Sequence, residues 1–119
     1  MSAYRLPPPD VRFLSSENKF VLLTDYRTPE VTVPFGFKTD GASVPRLLQN
    51  IFPAVYKYFP ACIVHDYMYS GLLPNTKKQA DDLFNTNLKR LGISSWYRIP
   101  MVAAVRLFGG SNFKAKTKK

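Results

Sequence analysis

Length, composition and charge limit the classes of protein to which this chain can belong. Its 119 residues suffice for one domain, and its content of 45% hydrophobic and 14% aromatic residues excludes a disordered chain. The formal net charge of +9, from 17 Lys and Arg against 8 Asp and Glu, favours nucleic acid, anionic membrane or an acidic protein as a partner.

The sequence also limits where the protein is expected to work. No apolar run approaches the roughly 20 residues that cross a bilayer, and residues 1–9 lack the apolar stretch of a signal peptide. The single cysteine, Cys62, excludes an intramolecular disulfide and suits a reducing compartment. We therefore expect one intracellular domain over residues 1–119, with no transmembrane segment.

The N-terminal third is predicted to be extended and then β-rich. Residues 1–10 contain three consecutive prolines and are predicted to form an extended arm, because proline cannot join a regular helix. Residues 11–43 are predicted to form an antiparallel sheet, with strands at residues 11–14, 20–24, 31–33 and 35–38. Residues 25–29 resemble the connection of a β-hairpin, and Pro34 indicates an edge strand or a bulge.

Residues 44–110 are predicted to be helical, and residues 111–119 to be a basic tail. Pro60 and Pro100 are each typical of the first turn of a helix, while Asn75 or Thr76 can cap the helix between them. The three predicted segments end at glycines 71, 92 and 109, and a further short helix is predicted at residues 45–51. The expected fold is therefore α+β, with a small N-terminal antiparallel sheet packed against about three C-terminal helices.

One short segment concentrates the chemically competent residues. His65, the single histidine, precedes Asp66 on the first predicted helix. A histidine can take a proton from water when a carboxylate fixes its tautomer. Neighbouring helical residues point about 100° apart, so these two side chains must face different partners. This geometry favours His65 as a base and Asp66 as a ligand for a cation.

Two further carboxylates complete the candidate site. On the next helix, Asp81 lies at the flank of the apolar face and Asp82 points away from it, so Asp81 is the predicted partner of His65. The loop at residues 39–43 contains Asp40 and Ser43 and offers hard oxygen ligands of the kind that calcium favours. Each of these residues alone is also typical of a structural histidine, a surface charge or a turn.

Four ordered motifs carry a resemblance to a known family. They are TDGASVPR at residues 39–46, HDYMY at 65–69, ADDLF at 80–84 and VRLFG at 105–109. From about residue 33 to 110 the chain resembles a family of short tailed-phage and prophage proteins, the domain of unknown function 1353. The resemblance implies a phage origin, other virion proteins as partners, and a location in the bacterial host cytoplasm or in the virion.

Residues 40–43 and 60–69 are also similar to the calcium loop and catalytic helix of prokaryotic phospholipase A2. That resemblance implies calcium as the cofactor, His65 as the general base and Asp81 as the carboxylate that orients it. It implies Asp40 and Asp66 as the calcium ligands, with Tyr69 and Ser43 supporting them. The chain departs from that family because it has no disulfide, few loop glycines and a short interval between the two catalytic residues.

Two functions follow from these patterns. The first is a calcium-dependent hydrolase of phospholipid or another envelope ester. The alternative is a non-enzymatic virion component of the tail, baseplate or neck, in which the His and Asp cluster is a structural polar network. A basic patch at the C-terminus could attract anionic lipid, or nucleic acid without sequence specificity, and consists of Lys114, Lys116, Lys118 and Lys119.

Overall fold

A computed structural model describes residues 5–39, 55–111 and 113 of the chain. Within these ranges five short strands precede three α-helices, which confirms the predicted α+β class. The strands are β1 (Val11–Leu14), β2 (Lys19–Leu22), β3 (Tyr26–Arg27), β4 (Thr32–Val33) and β5 (Lys38–Thr39). The helices are α1 (Val55–Tyr69), α2 (Lys77–Arg90) and α3 (Ser95–Phe108), and a short 3-10 helix follows at Gly109–Ser111.

The strands form two small antiparallel sheets. One has the order β1-β2-β5, and β3 and β4 form a separate two-stranded hairpin. In the first sheet Val11 pairs with Leu22 across β1 and β2. Asn18, in the turn between these strands, has a φ of 55°, in the left-handed region that asparagine tolerates better than most residues. The buried side of this β-layer, which includes Leu22, packs against α1.

The predicted hairpin connection at residues 25–29 is wrong. Tyr26 and Arg27 form β3, and the chain reverses at residues 28–31 instead. Both the backbone amide and the hydroxyl of Thr28 donate to the carbonyl oxygen of Val31, which closes that turn. Pro34 follows β4 and begins a second turn, in which Gly36 has a φ of 87°. Burial of Tyr26 against the core outweighs the local turn signal of its neighbours.

The two proline-based helix starts are also wrong. Pro60 lies inside α1, which begins at Val55, and Pro100 lies inside α3, which begins at Ser95. An internal proline removes one backbone hydrogen bond and strains the preceding turn. Tertiary contacts offset that cost: Tyr58 is buried before Pro60, and Arg98 in the first turn of α3 donates to Asn85 of α2 at 2.8 Å. The predicted helix at residues 45–51 lies outside the described residues.

The core centres on α1, which is covered from two sides. One cluster joins α1 to the other helices, and its members are Tyr58, Ala61, Cys62, Phe84, Leu88, Met101, Val102 and Val105. The other joins α1 to the strands and the start of α2, with Leu22, Tyr26, Val33, Ile63, Val64, Met68, Tyr69 and Ala80. A helix enclosed in this way holds its side chains in fixed orientations. None of the described helices is long and apolar enough to cross a membrane.

Candidate functional site

The adjacent residues His65 and Asp66 of α1 face different partners. The imidazole of His65 turns toward α2, where its Nε2 lies 2.8 Å from Oδ1 of Asp81. The carboxylate of Asp66 turns toward β5, and its Oδ2 accepts a hydrogen bond from the hydroxyl of Thr39. The angle of about 100° between neighbouring helical residues produces this separation. Thr39 was not singled out as a site residue by the sequence, although it begins one of the four motifs.

The pair formed by His65 and Asp81 is deeply buried. Their side chains are only 1% and 2% exposed. An ionised carboxylate can only accept hydrogen bonds, so Nε2 of the imidazole must be the donor. In the neutral form of the ring the other nitrogen, Nδ1, carries the lone pair; this atom is buried and has no hydrogen-bond partner among the described residues. The pair therefore fixes the tautomer of the neutral ring and leaves its buried Nδ1 as the basic nitrogen.

Tyr69 reaches the same carboxylate from one turn further along α1. Its hydroxyl donates to Oδ1 of Asp81 at 2.6 Å, and its ring lies 4.1 Å from the imidazole of His65 between centroids. Gly109 makes this position available. A Cβ atom at residue 109 would lie 2.6 Å from the tyrosine hydroxyl oxygen, closer than real Cβ contacts. The glycine that follows α3 thus gives the tyrosine its space, beyond its role as a helix terminator.

Lys77 is the member of the cluster that sequence reasoning missed. Its Nζ donates to Oδ2 of Asp81 at 2.7 Å and to the carbonyl oxygens of Val105 and Arg106 at 3.0 and 3.1 Å. The lysine thereby joins the buried carboxylate to the last turn of α3, where helix carbonyls favour a positive charge. Its position four residues before Asp81 on one helix is the sequence signal that could have found it.

These contacts set the ionisation of the cluster. Burial acts to raise the pKa of Asp81, but hydrogen bonds from His65, Lys77 and Tyr69 outweigh it and lower that pKa from 3.8 to about 2. Burial, followed by the hydrogen bond to the carboxylate and its negative charge, raises the pKa of the Tyr69 hydroxyl far above its usual value. Asp81 is therefore an anion and Tyr69 a neutral donor at neutral pH.

Asp82, the next residue on α2, has the opposite environment. Its side chain is 44% exposed, and its carboxylate pairs with Lys78 at 2.7 Å and with Arg106 at 2.8 Å. Hydrogen bonds from these two cations lower its pKa. The structure buries Asp81 and exposes Asp82, which is the arrangement that the helical periodicity of α2 predicts. Asp82 therefore provides a matched control for substitutions of the buried Asp81.

Residues 18–105 match a protein family described as "Protein of unknown function (DUF1353)". The chain belongs to this family. The range that matches the DUF1353 family contains the cluster residues His65, Tyr69, Lys77 and Asp81, as well as Asp66, but not Gly109. No curated protein and no solved structure matches the chain.

Part of the predicted site lies outside the described residues of this DUF1353 member. Asp40, Ser43 and the basic patch of Lys114, Lys116, Lys118 and Lys119 all fall there. In the part of the chain that the structure describes, no three His, Cys, Asp or Glu side chains group around a point where a metal ion could bind. Asp66, whose carboxylate turns toward β5 and away from the imidazole, could serve as one hard oxygen ligand.

A separate cleft of about 500 Å³ opens where the connection between α1 and α2 passes the β3–β4 hairpin. Its lining is mostly apolar and consists of Glu30, Val31, Met68, Leu73, Pro74, Asn75, Gln79 and Leu83. No member of the cluster formed by His65, Asp81, Tyr69 and Lys77 lines it. The cleft is therefore distinct from the candidate catalytic cluster.

Proposed function

We propose that this DUF1353 protein is an ester hydrolase in which His65 activates water. The observation that carries the proposal is the orientation of the imidazole. Nε2 is held by a buried carboxylate, whereas Nδ1 retains a lone pair with no hydrogen-bond partner among the described residues. A histidine held in one tautomer by a carboxylate is the usual arrangement of a general base.

The proposed reaction uses the imidazole first as a base and then as an acid. Nδ1 of His65 takes a proton from water as the water oxygen attacks the ester carbonyl carbon. The imidazolium that forms is stabilised through its Nε2–H by the anionic Asp81. When the tetrahedral intermediate collapses, the carbon–oxygen ester bond breaks and Nδ1 returns the proton to the leaving alkoxide. The products are a carboxylic acid and an alcohol.

Tyr69 and Lys77 act in this scheme by holding Asp81. Their hydrogen bonds occupy both carboxylate oxygens, so the carboxylate cannot rotate away from the imidazole. Their combined effect also keeps the carboxylate ionised, because both hydrogen bonds lower its pKa. An orienting acid that stayed protonated could not stabilise an imidazolium.

The resemblance to phospholipase A2 adds calcium to the proposal. Asp66 and Asp40 would hold the ion. Asp66 accepts a hydrogen bond from Thr39, and Asp40 is the next residue in the sequence after Thr39. When bound, calcium would polarise the ester carbonyl and balance the charge of the oxyanion. Phospholipid of the host envelope is the proposed substrate, and the phage origin implied by the motifs is part of the same proposal.

The direct test is hydrolysis of phosphatidylglycerol vesicles with calcium and with a chelator. We expect wild type to release fatty acid only with calcium, and His65→Gln and Asp81→Asn to reduce the rate by roughly 10²- to 10⁴-fold. Asp66→Asn should remove the hydrolysis that calcium stimulates, whereas Asp82→Asn should behave as wild type. Hydrolysis that survives His65→Gln, or no hydrolysis under either condition, would contradict the proposal.

One observation favours the non-enzymatic alternative, a virion component of the tail, baseplate or neck. Asp81 of α2 binds His65 of α1, and Lys77 carries the network to the end of α3, so one carboxylate joins all three helices. A network in this position could serve stability alone. In that case His65→Ala should abolish cooperative unfolding. Mass spectrometry of purified phage particles should also detect the protein. If His65→Ala unfolds cooperatively, this alternative loses its support.

A further inference from the structure

The helix α3 is apolar on two opposite faces. Its inner face is buried and consists of Met101, Val102, Ala104 and Val105. On the outer face Trp96 is 83%, Ile99 60% and Leu107 74% exposed. These three residues and the exposed Ala103 recur at intervals of three or four residues, so they form one stripe along the helix. A surface helix usually carries polar residues there, which indicates that this outer face binds something apolar.

The charge of the chain distinguishes between possible binding partners of the stripe. No residue of α3 is acidic, and its two charged residues are Arg98, which donates to Asn85, and Arg106, which pairs with Asp82. Four lysines follow in the last six residues of the chain, and the net charge is +9. Two copies of the chain meeting at this face would bring like charges together, whereas an anionic surface would attract them. Charge therefore favours an anionic partner over a second copy.

The composition of the stripe favours a lipid surface as that partner. Trp96 and Tyr97 lie together at the first turn of α3, and aromatic rings with a polar group favour the boundary between lipid and water. The helix has 14 residues, fewer than a bilayer crossing needs. A short helix with an apolar stripe and only basic charges is suited to lie in the plane of the membrane surface.

We propose that the outer face of α3 docks the protein on an anionic bilayer, with Trp96, Ile99 and Leu107 inserted among the lipids. This inference deepens the proposed function, because it places the hydrolase on the membrane that contains its substrate. It rests on the proposed function only for the statement that the lipid is the substrate. Docking itself needs neither His65 nor an ester.

The test uses the full chain and the fluorescence of Trp96, its single tryptophan. Vesicles of ether-linked phosphatidylglycerol contain no carboxylic ester, the bond that the proposed reaction cleaves, so docking is measured without hydrolysis. We expect these vesicles to shift the emission to shorter wavelength, more strongly than ether-linked phosphatidylcholine vesicles do, and high salt to reduce the effect. Ile99→Asp and Leu107→Asp should each weaken partitioning into the vesicles by at least about tenfold, because each removes one aliphatic side chain that inserts into the lipid.

Matched controls separate the outcomes. Phe35→Asp alters an equally prominent side chain, 67% exposed, outside α3 and should leave partitioning unchanged. Absence of any shift, or equal partitioning of Ile99→Asp and wild type, would overturn the proposal. A shift that follows protein concentration without vesicles, with a doubled mass on size exclusion, would assign the face to a dimer instead. If His65→Gln docks normally but wild type hydrolyses nothing, only the proposed hydrolase activity fails.

Discussion

Acid should destabilise the fold most strongly through the buried carboxylate of Asp81. Its pKa is about 2 in the folded protein and 3.8 when unperturbed, and the side chain is buried. Because the folded-state value is the lower one, the stabilisation is complete above pH 3.8 and is lost as the pH falls through 2. The difference corresponds to about 2 kcal/mol, since each pKa unit corresponds to about 1.4 kcal/mol.

Urea unfolding of wild type and Asp81→Asn between pH 5 and pH 2, followed by circular dichroism, measures this contribution. The variant should be less stable at pH 5, because its amide gives Lys77 no anionic partner. Between pH 5 and pH 2, however, it should lose about 2 kcal/mol less than wild type. Equal losses in the two proteins would refute the assignment of this carboxylate as the ionised centre of the cluster.

Asp82→Asn provides the control for that experiment. Its carboxylate is half-exposed, and its two cation partners, Lys78 and Arg106, are exposed as well. Water and salt screen such pairs, so any effect of this variant should vanish at high ionic strength. The effect of removing the buried carboxylate should persist there, because salt does not reach it.

Three further predictions concern the groups around that carboxylate. Lys77→Met should lower the free energy of unfolding in urea by roughly 1–3 kcal/mol, because a buried anion loses its charged donor. Lys78→Met removes an exposed ion pair instead and should lower that free energy by less than about 1 kcal/mol. Gly109→Ala should lower the free energy of unfolding by roughly 1–3 kcal/mol, because the added Cβ forces the ring of Tyr69 aside. Gly110→Ala should leave the stability nearly unchanged, because nothing lies within 4 Å of the added Cβ. Nitrogen NMR of His65, the only histidine, should show that the neutral imidazole is protonated on Nε2, and a neutral imidazole protonated on Nδ1 would contradict the proposed base.

Local signals in the sequence predict α2 well. Thr76 caps the helix, and its hydroxyl and the side chain of Gln79 satisfy two backbone amides in a capping box. Gly92, with a φ of 76°, lies just beyond the C-terminal end of α2. Periodicity between these ends places Asp81 inside and Asp82 outside. All of these features depend on residues a few positions apart, which is why sequence reasoning reaches them.

Contacts between distant segments are what the sequence could not provide. The starts of α1 and α3 precede Pro60 and Pro100 because tertiary packing compensates for an internal proline, and no local pattern reports that packing. Gly109 after α3 looks like an ordinary helix terminator, yet its missing side chain makes room for Tyr69, 40 positions earlier in the chain. Lys77 is four residues from Asp81, but its contacts with carbonyls of α3 depend on how the two helices cross.

Those lysine contacts also connect the two proposals physically. Lys77 binds the carbonyl oxygen of Arg106, and Leu107, a predicted lipid anchor, is the next residue on α3. The end of the proposed docking stripe therefore lies beside the network that orients His65. The base itself is buried, with the His65 side chain 1% exposed, and the docking stripe lies on the face of α3 opposite to its buried inner face. Lys77 is a physical link between the two, because it joins the last turn of α3 to the carboxylate that orients His65.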